Sequence, residues 1–462
     1  MAPQDHLTNE ERVSTGPNLD HLTNGGDGHQ PSGVNHVTEA GEVFARGPAS
    51  TMEFQPEQVT PARGLTALRH RNFLLFWSGQ LISLIGTWMQ SIAQVWLVLE
   101  LTNSALALGV VTTLQFLPTL LLSLFGGVIA DRLPRRSVLV VTQSSAMFLA
   151  FVLGVLTATG LVHYVHVLII ATAFGLVNAV DMPTRQAFVV DLVPTEVLPN
   201  AIALNSSIFN AARLIGPALA GVIIGLVGVA SAFYLNALSF LPVIGALLLI
   251  SVSHGGTPLH ATSVWGNLKE GVHYVVHEPL IRFVVAFVGI VSALAMNYSI
   301  LIPVLARDEL HVGASGFGLL MSALGLGSLA SALFLSAVRW RPRPRMLVLS
   351  AVAFGLTEAA LAFFDNFALA SALLFLSGMA MVTFTTVANT ALQTAVPDVL
   401  RGRVMSVYTT VFIGTTPIVS PLIGAATQAW GVNIPLVVGG VAAVLAALVS
   451  WWWRPWQSHP NV

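Results

Sequence analysis

The sequence predicts an all-α integral membrane protein, twelve transmembrane helices in two pseudo-symmetric six-helix bundles. Three observations carry this. First, 55% of the 462 residues are hydrophobic and only 9% charged, against about 25% charged in soluble domains. Second, from Phe73 onward apolar runs of membrane length alternate with short polar breaks. Third, the second half of that region repeats features of the first at a nearly constant offset.

Residues 1–63 are polar, rich in Gly, Pro, Asn and His, and free of apolar periodicity. No apolar segment follows the start, so the stretch reads as a disordered cytoplasmic tail and not a signal peptide. It holds nine of the 21 acidic residues and three of the 20 basic ones. The rest of the chain therefore has 17 basic against 12 acidic residues, an excess suited to an anionic membrane surface. His6, His21, His29 and His36 are irregularly spaced, which fits a solvated linker better than a metal site. With no cysteine, disulfides and thiolate metal ligands are excluded.

The apolar runs fall at 73–99, 105–130, 137–158, 164–182, 201–226, 232–252, 282–305, 315–338, 346–364, 368–390, 403–427 and 433–453. An even number of spans puts both ends on one side, and Arg and Lys then set the orientation. One set of loops and flanks carries Arg69, Arg71, Arg132, Arg135, Arg136, Arg185, Lys269, Arg282, Arg339, Arg341, Arg343, Arg345, Arg401, Arg403 and Arg454. The opposite loops carry Arg307 alone. Both termini are expected in the cytoplasm, with the chain multi-pass in the cell membrane.

The repeat shows in several places. RLPRR at 132–136 returns as RPRPR at 341–345, the segment from Gln186 to Asn200 parallels that from Asn389 to Arg403, and Gly216-Pro217 answers Ser420-Pro421, offsets of 203 to 209 residues. Parallel repeats of six helices are a known transporter architecture. The implied domains are a six-helix bundle at 64–252, a cytoplasmic linker at 253–281, a second bundle at 282–453 and a tail at 454–462. Within the linker Val264, Leu268, Val272 and Val275 lie on one face of an amphipathic helix. His273 and His277 sit one turn apart on it, a metal-ligand spacing that is more simply a solvated face, and no metal site or cofactor is expected.

The stretch Gly127–Arg136, GVIADRLPRR, places one carboxylate and three guanidiniums between two membrane-length segments. An anchoring loop would explain the arginines but not Asp131, which can accept charge-assisted bonds from Arg132 or Arg135. The pattern Gly-x-x-x-Asp-Arg-x-x-Arg-Arg resembles the loop 2–3 signature of the major facilitator superfamily, with Pro134 in place of its usual second glycine. That resemblance implies a conformational latch of Gly127, Asp131, Arg132, Arg135 and Arg136. Gly127 would let helices approach closely, and the charges would hold the two halves together in the outward-facing state, partly at the positive end of the eleventh helix. DMPTRQAFVVDLVPTEVLPNAIALNS at 181–206 resembles the enterobactin-exporter and macrolide-efflux branch of drug:proton antiporters. ARLIGPALAG at 212–221 is similar in part to the antiporter motif of the fifth helix, several of whose glycines are alanines here.

In the first span Gln80, Ser83, Thr87, Gln90, Ser91 and Gln94 form one polar stripe. Unpaired amides in lipid are costly, so the stripe faces either a central cavity, with Gln80, Thr87, Gln90 and Gln94 as substrate contacts, or a hydrogen-bonded seam between helices. Asn297 and Tyr298 occupy the corresponding place in the seventh span. Trp88, Phe116 and Phe287 are aromatic candidates for a bulky ligand. Ionisable groups inside spans are functional hypotheses by default. Arg213 and Asp181 are expected to pair, and Glu358, the one carboxylate well inside a span, is a candidate proton carrier or a structural group. These three are the coupling candidates.

No phosphate-binding GxxxxGK[ST], HExxH or Ser-His-Asp pattern is present, so an ATP-driven motor and an enzyme are not expected. The arginines are loop anchors, which argues against nucleic-acid binding. The resemblance implies a secondary active transporter, a monomer, that exports a small amphipathic or lipophilic drug, siderophore or metabolite by alternating access, with protons as coupling ion. A nutrient importer of the same fold and a non-transporting receptor or lipid-handling protein are the alternatives.

Overall fold

The computed structural model describes residues 65–251, 264–338 and 343–453. The expected tail at 1–63, the first part of the linker, Arg339, Trp340 and Arg341 of the second arginine-rich loop, and the 454–462 tail lie outside them. A 3-10 turn at Thr66–Arg69 leads into α1 (Arg71–Thr102), followed by α2 (Ala105–Arg132), α3 (Arg135–Ala158), α4 (Tyr164–Asp191), α5 (Leu198–Val227) and α6 (Val229–Leu249). The linker helix α7 (Val264–His277) precedes α8 (Pro279–Leu294), α9 (Tyr298–Val304), α10 (Ala314–Ala337), α11 (Pro344–Ala360), α12 (Phe367–Ala395), α13 (Asp398–Trp430) and α14 (Asn433–Trp453). Twelve segments are long and apolar enough to cross a membrane, α8 and α9 together forming one of them. The described residues contain no strand, as expected where lipid offers no partner to an open backbone.

The tenth span runs five residues past 390, to Ala395, the eleventh begins five before 403, at Asp398, and two further differences bear on the site. The fourth span continues nine residues past 182, to Asp191, because Ala187, Phe188 and Val189 carry an apolar face onward and Pro183 removes one hydrogen bond without ending the helix. Arg185 is thereby a helical residue and not a loop anchor. The seventh span breaks after Leu294 and restarts at Tyr298, with Asn297 in a non-helical conformation between them.

Helices α1–α6 pack on one another, as do α8–α14. Without a hydrophobic drive between helices in lipid, small residues set the closest approaches. A Cβ at Gly126 of α2 would stand 2.0 Å from the Ala179 carbonyl of α4, and one at Gly327 of α10 would stand 1.8 Å from the Phe375 carbonyl of α12. The two glycines lie 201 residues apart and their partners 196, corresponding close approaches in the two bundles. The linker helix is tied to the second bundle, with Glu270 accepting an ion-pair bond from Arg403 at the start of α13.

Two helix pairs make the main contact between the bundles: α2 with α13 and α5 with α10. The Ala105 N–H donates to Gln428 Oε1 at 2.9 Å, and Thr113 Oγ1 donates to the Pro417 carbonyl at 2.8 Å. Ser315 Oγ donates to the Gly221 carbonyl at 2.7 Å, where a Cβ at Gly318 would meet Gly221 Cα at 2.6 Å. Trp96 and Phe317 stack beside this contact, with ring centroids 6.1 Å apart. All of these lie at the end of the molecule opposite the Gly127–Arg136 loop. Midway along, Leu120 still touches the position of Gly414, and Leu214 that of Gly325. Toward the arginine-rich end Gly127 and Asp131 continue the α2 face of Gly109, Thr113 and Leu120, yet a Cβ at Gly127 would meet nothing within 4 Å, and Asp131 and Val399 of α13 are exposed. The bundles therefore meet at one end and part at the other.

Gly318→Ala should loosen this seal, since the added methyl meets backbone and not a movable side chain. Accessibility of a cysteine introduced at Ser315 in the cysteine-free chain should rise relative to the same cysteine with Gly318 intact.

Candidate functional site

The loop between α2 and α3 binds within its own bundle. Arg135 donates to Asp191 Oδ1 at 2.7 Å and to the Ala187 carbonyl at 3.3 Å, both at the end of α4. Arg136 donates to the Leu247 and Leu248 carbonyls, capping the last turn of α6. Asp131 lies 3.9 Å from Arg135 at its closest, and its side chain is 61% exposed. None of these bonds reaches α8–α14, so the charge cluster is assembled but does not bridge the bundles in this conformation. The close helix approach expected of Gly127 is made by its neighbour. A Cβ at Gly127 would meet nothing within 4 Å, whereas Gly126 faces α4.

The expected pairing of Asp181 with Arg213 is absent. Asp181 is buried, and its Oδ1 accepts from Thr142 Oγ1 and Gln143 Nε2, each at 2.7 Å. Its Oδ2 is bonded by Arg185, one turn further along α4. Once the helix runs past Pro183 an i,i+4 partner lies on the same face, which removes the need for a cation from α5. Arg213 makes no ion pair, and its buried Nη2 has no hydrogen-bond partner among the described residues. It shares one face of α5 with exposed Ser206 and with Asn210, at i, i+4 and i+7. Ile215, Leu219, Val222 and Leu226 form an exposed apolar face on the other side of the helix. The polar face thus borders the cleft between the bundles. Beside it, Phe209 packs edge-to-face on Trp88 of α1, centroids 5.7 Å apart.

The α1 stripe divides between the two roles open to it. Gln90 accepts from Asn236 Nδ2 of α6 at 2.6 Å, and Gln94 donates to Gln115 Oε1 of α2 at 3.2 Å. These are seams between helices. Gln80 is buried, and Thr87 turns its hydroxyl back to the Ser83 carbonyl. In the seventh span Asn297 and Tyr298 are also buried. Asn297 Nδ2 donates to the Ala293 carbonyl at 2.8 Å, and the Tyr298 hydroxyl lies 2.5 Å from Ser377 Oγ of α12. Glu358 is wholly buried in α11. Of the expected aromatics Trp88 is half-buried between α1 and α5 against Phe209, while Phe287 is core, packed edge-to-face on Phe384.

Sequence reasoning did not single out Ser206 and Asn210, nor the α12 face of Thr386, Asn389, Thr390 and Gln393. On that face Gln393 donates to Asn389. The signal was available as helical spacing of polar residues near the ends of both spans. It is diluted there because both segments pass for loop-flanking polarity.

A family profile described as "transmembrane secretion effector" matches residues 62–457. The chain is 28% identical over 377 residues to the "Staphyloferrin A transporter" of Staphylococcus aureus (strain NCTC 8325 / PS 47), covering 81% of this chain and 94% of that one. It is 24% identical over 397 residues to the "Multidrug efflux pump Tap" of Mycolicibacterium fortuitum, covering 82% and 97%. Among solved structures it resembles the nucleoside transporter NupG, with a TM-score of 0.63, 14% identity, and 83% and 98% of the two chains covered. The D-xylose-proton symporter is equally similar, with a TM-score of 0.63, 16% identity, and 84% and 96% covered. At these identities the solved structures show a shared fold.

Arg135→Gln should lower thermal stability by roughly 1–3 kcal/mol, because it removes a charge-assisted bond to α4. Asp131→Asn should leave the melting temperature in detergent nearly unchanged. Swapping Asp181 with Arg185 should restore part of the stability lost in either single substitution. A swap with Arg213 should restore none, and rescue there would contradict the geometry.

Proposed function

We propose that this chain, which belongs to the transmembrane secretion effector family of the major facilitator superfamily, exports a small amphipathic compound by alternating access driven by proton entry. The observation that carries the reading is the arrangement of the bundles, sealed at one end and parted at the other around a polar, cationic wall. Arginine excess in the loops supports placing the parted end in the cytoplasm, with both termini there and the chain in the cell membrane. In this conformation the cleft then opens to the compartment from which an exporter loads.

Rocking of the bundles about their midplane would close the cytoplasmic end and bring α2 toward the start of α13. Asp131 is an exposed carboxylate at that end, placed to meet the positive N-terminus of α13. The intrabundle bonds of Arg135 and Arg136 hold the loop ready for this contact, with Arg132 beside it. A latch thus forms in the outward-facing state and is released in this one. Each chain contains a complete cleft, which supports action as a monomer.

Arg213 defines the kind of cargo. A guanidinium with no ion-pair partner among the described residues, bordering a cleft inside a membrane span, favours a substrate that brings an acidic group. Trp88 and Phe209 offer aromatic surface for an apolar body. The substrate is therefore a lipophilic acid or an amphipathic metal chelator of the siderophore kind, in keeping with relatives whose names record a staphyloferrin and multidrug efflux. A lone cation does not suit a multiply charged sugar phosphate.

Cells carrying the protein should accumulate less of such a compound than cells without it, and accumulation should rise when a protonophore collapses the gradient. The reverse pattern would indicate an importer, and no difference a receptor. Arg213→Gln should reduce export of an acidic substrate tenfold or more, roughly the 1.5–3 kcal/mol of a hydrogen bond to a charged group. Its effect on the methyl ester of the same compound should be small. Asp131→Asn should slow export while membrane insertion stays normal.

A further inference from the structure

Glu358 differs from every other carboxylate in the described membrane spans. It is 0% exposed, and neither carboxyl oxygen has a hydrogen-bond partner among the described residues. Asp181, by contrast, is bonded at both oxygens. A carboxylate anion without donors in an apolar interior costs several kcal/mol. The closed pocket of this conformation therefore suits the neutral acid.

What surrounds the side chain is a helix break. A Cβ at Gly439 of α14 would stand 3.1 Å from Glu358 Oε1 and 2.6 Å from the Leu294 carbonyl, so both oxygens face the same glycine. Leu294 is the last residue of α8. Its carbonyl would bond the Tyr298 N–H in a continuous helix, but Tyr298 begins α9 and Asn297 intervenes. Half-helix ends of this sort, with backbone carbonyls unspent, are where transporter spans hold protons and cations. Tyr298 continues the polar chain: its hydroxyl meets Ser377 Oγ, which accepts from Thr357 Oγ1 at 3.1 Å. Thr357 is the residue next to Glu358 on α11.

Few charges compete for this site. Neither α12 nor α14 contains a titratable residue, and α8 has only Arg282, in its first turn. On α11 the other titratable group is Arg345, at the far end, and on α9 it is Tyr298, which lies close enough to sense the Glu358 charge. Asp365 is exposed beyond the helix end. Glu358 lies five residues before Phe363, where the span ends, roughly 8 Å at 1.5 Å per residue. That end is the one opposite the arginine-rich loop.

We propose that Glu358 is a proton-binding site of the second bundle, coupled to the α8–α9 break: the neutral acid fits the closed pocket, and ionisation requires the break to shift and admit water. On deprotonation the carboxyl O–H proton passes to that water, and the anion then takes donors from solvent and the displaced backbone. The proposal rests on the proton-driven reading above and assigns the ion to a residue. Proton entry from the side opposite the arginine-rich loop would then act on the seventh span, directly beside α13 and the cleft.

The chain without cysteine allows a test that needs no substrate. Nitroxide labels at Glu196→Cys and Val399→Cys, both exposed at the parted end on different bundles, report the opening by pulsed-EPR distances in lipid nanodiscs. Between pH 6 and pH 8 the full-length protein should show a change in distance distribution. Glu358→Gln, a neutral isostere, should give the acid distribution at both values, whereas Asp181→Asn should retain the change. Glu358→Leu, an apolar side chain for an apolar pocket, should behave as the Gln variant does, which covers a failure of that variant to fold. A pH response that persists in the Glu358 variants, or its absence from the parent, overturns the assignment. Loss of the protonophore effect on export with an intact pH response would instead count against the export reading.

Discussion

The contact of α5 with α10 at Gly221 and Gly318 is the constraint on which the rest of the molecule depends. At that point two backbones touch with no side chain between them, and the Ser315 hydroxyl adds a bond to the Gly221 carbonyl. Together with α2 on α13 it joins the bundles over one half of their length only. Toward the arginine-rich end no such contact is made, a Cβ at Gly127 meeting nothing within 4 Å, and the cleft follows. A membrane protein has no hydrophobic drive between helices to close such a gap. The shape of the cleft is therefore set by where backbones can touch.

Polar groups in this setting are either fully spent within a bundle or left for something else. Asp181, Gln90 and Gln94 belong to the first kind, each satisfied by a neighbour on an adjacent helix or turn. Arg135 and Arg136 of the loop after α2 also belong there, fastened to α4 and α6. Asp131, Arg213 and Glu358 belong to the second kind, one exposed at the parted end, one at the cleft wall and one sealed beside a broken helix. Transport chemistry needs groups whose partners change between states. These three have partners to gain.

Much of the fold was legible from composition and spacing. Twelve spans, a six-helix repeat and an amphipathic linker follow from hydropathy and turn chemistry, because lipid forces backbone bonds inside each segment and so makes every span a local property. The seventh-span break was not visible, since Asn297 reads equally well as a cavity residue. The end of α4 was misplaced because Pro183 resembles a stop, and the Asp181–Arg213 pairing failed for the same reason. With the helix prolonged, Arg185 was nearer.

The sequence by itself determined which residues enter the membrane, the twofold internal repeat and the residue types available for chemistry. It determined these because periodicity and charge act along a single segment. Only the tertiary structure decided which polar groups are spent and which are free. The α1 stripe was compatible with a cavity wall or a seam, and packing against Asn236 and Gln115 made seams of Gln90 and Gln94. The loop at Gly127–Arg136 was compatible with a closed latch, and the parting of the bundles left Asp131 with only Arg135 of its own bundle near it. Partner choice depends on distances between segments far apart in the chain, and no local pattern encodes those.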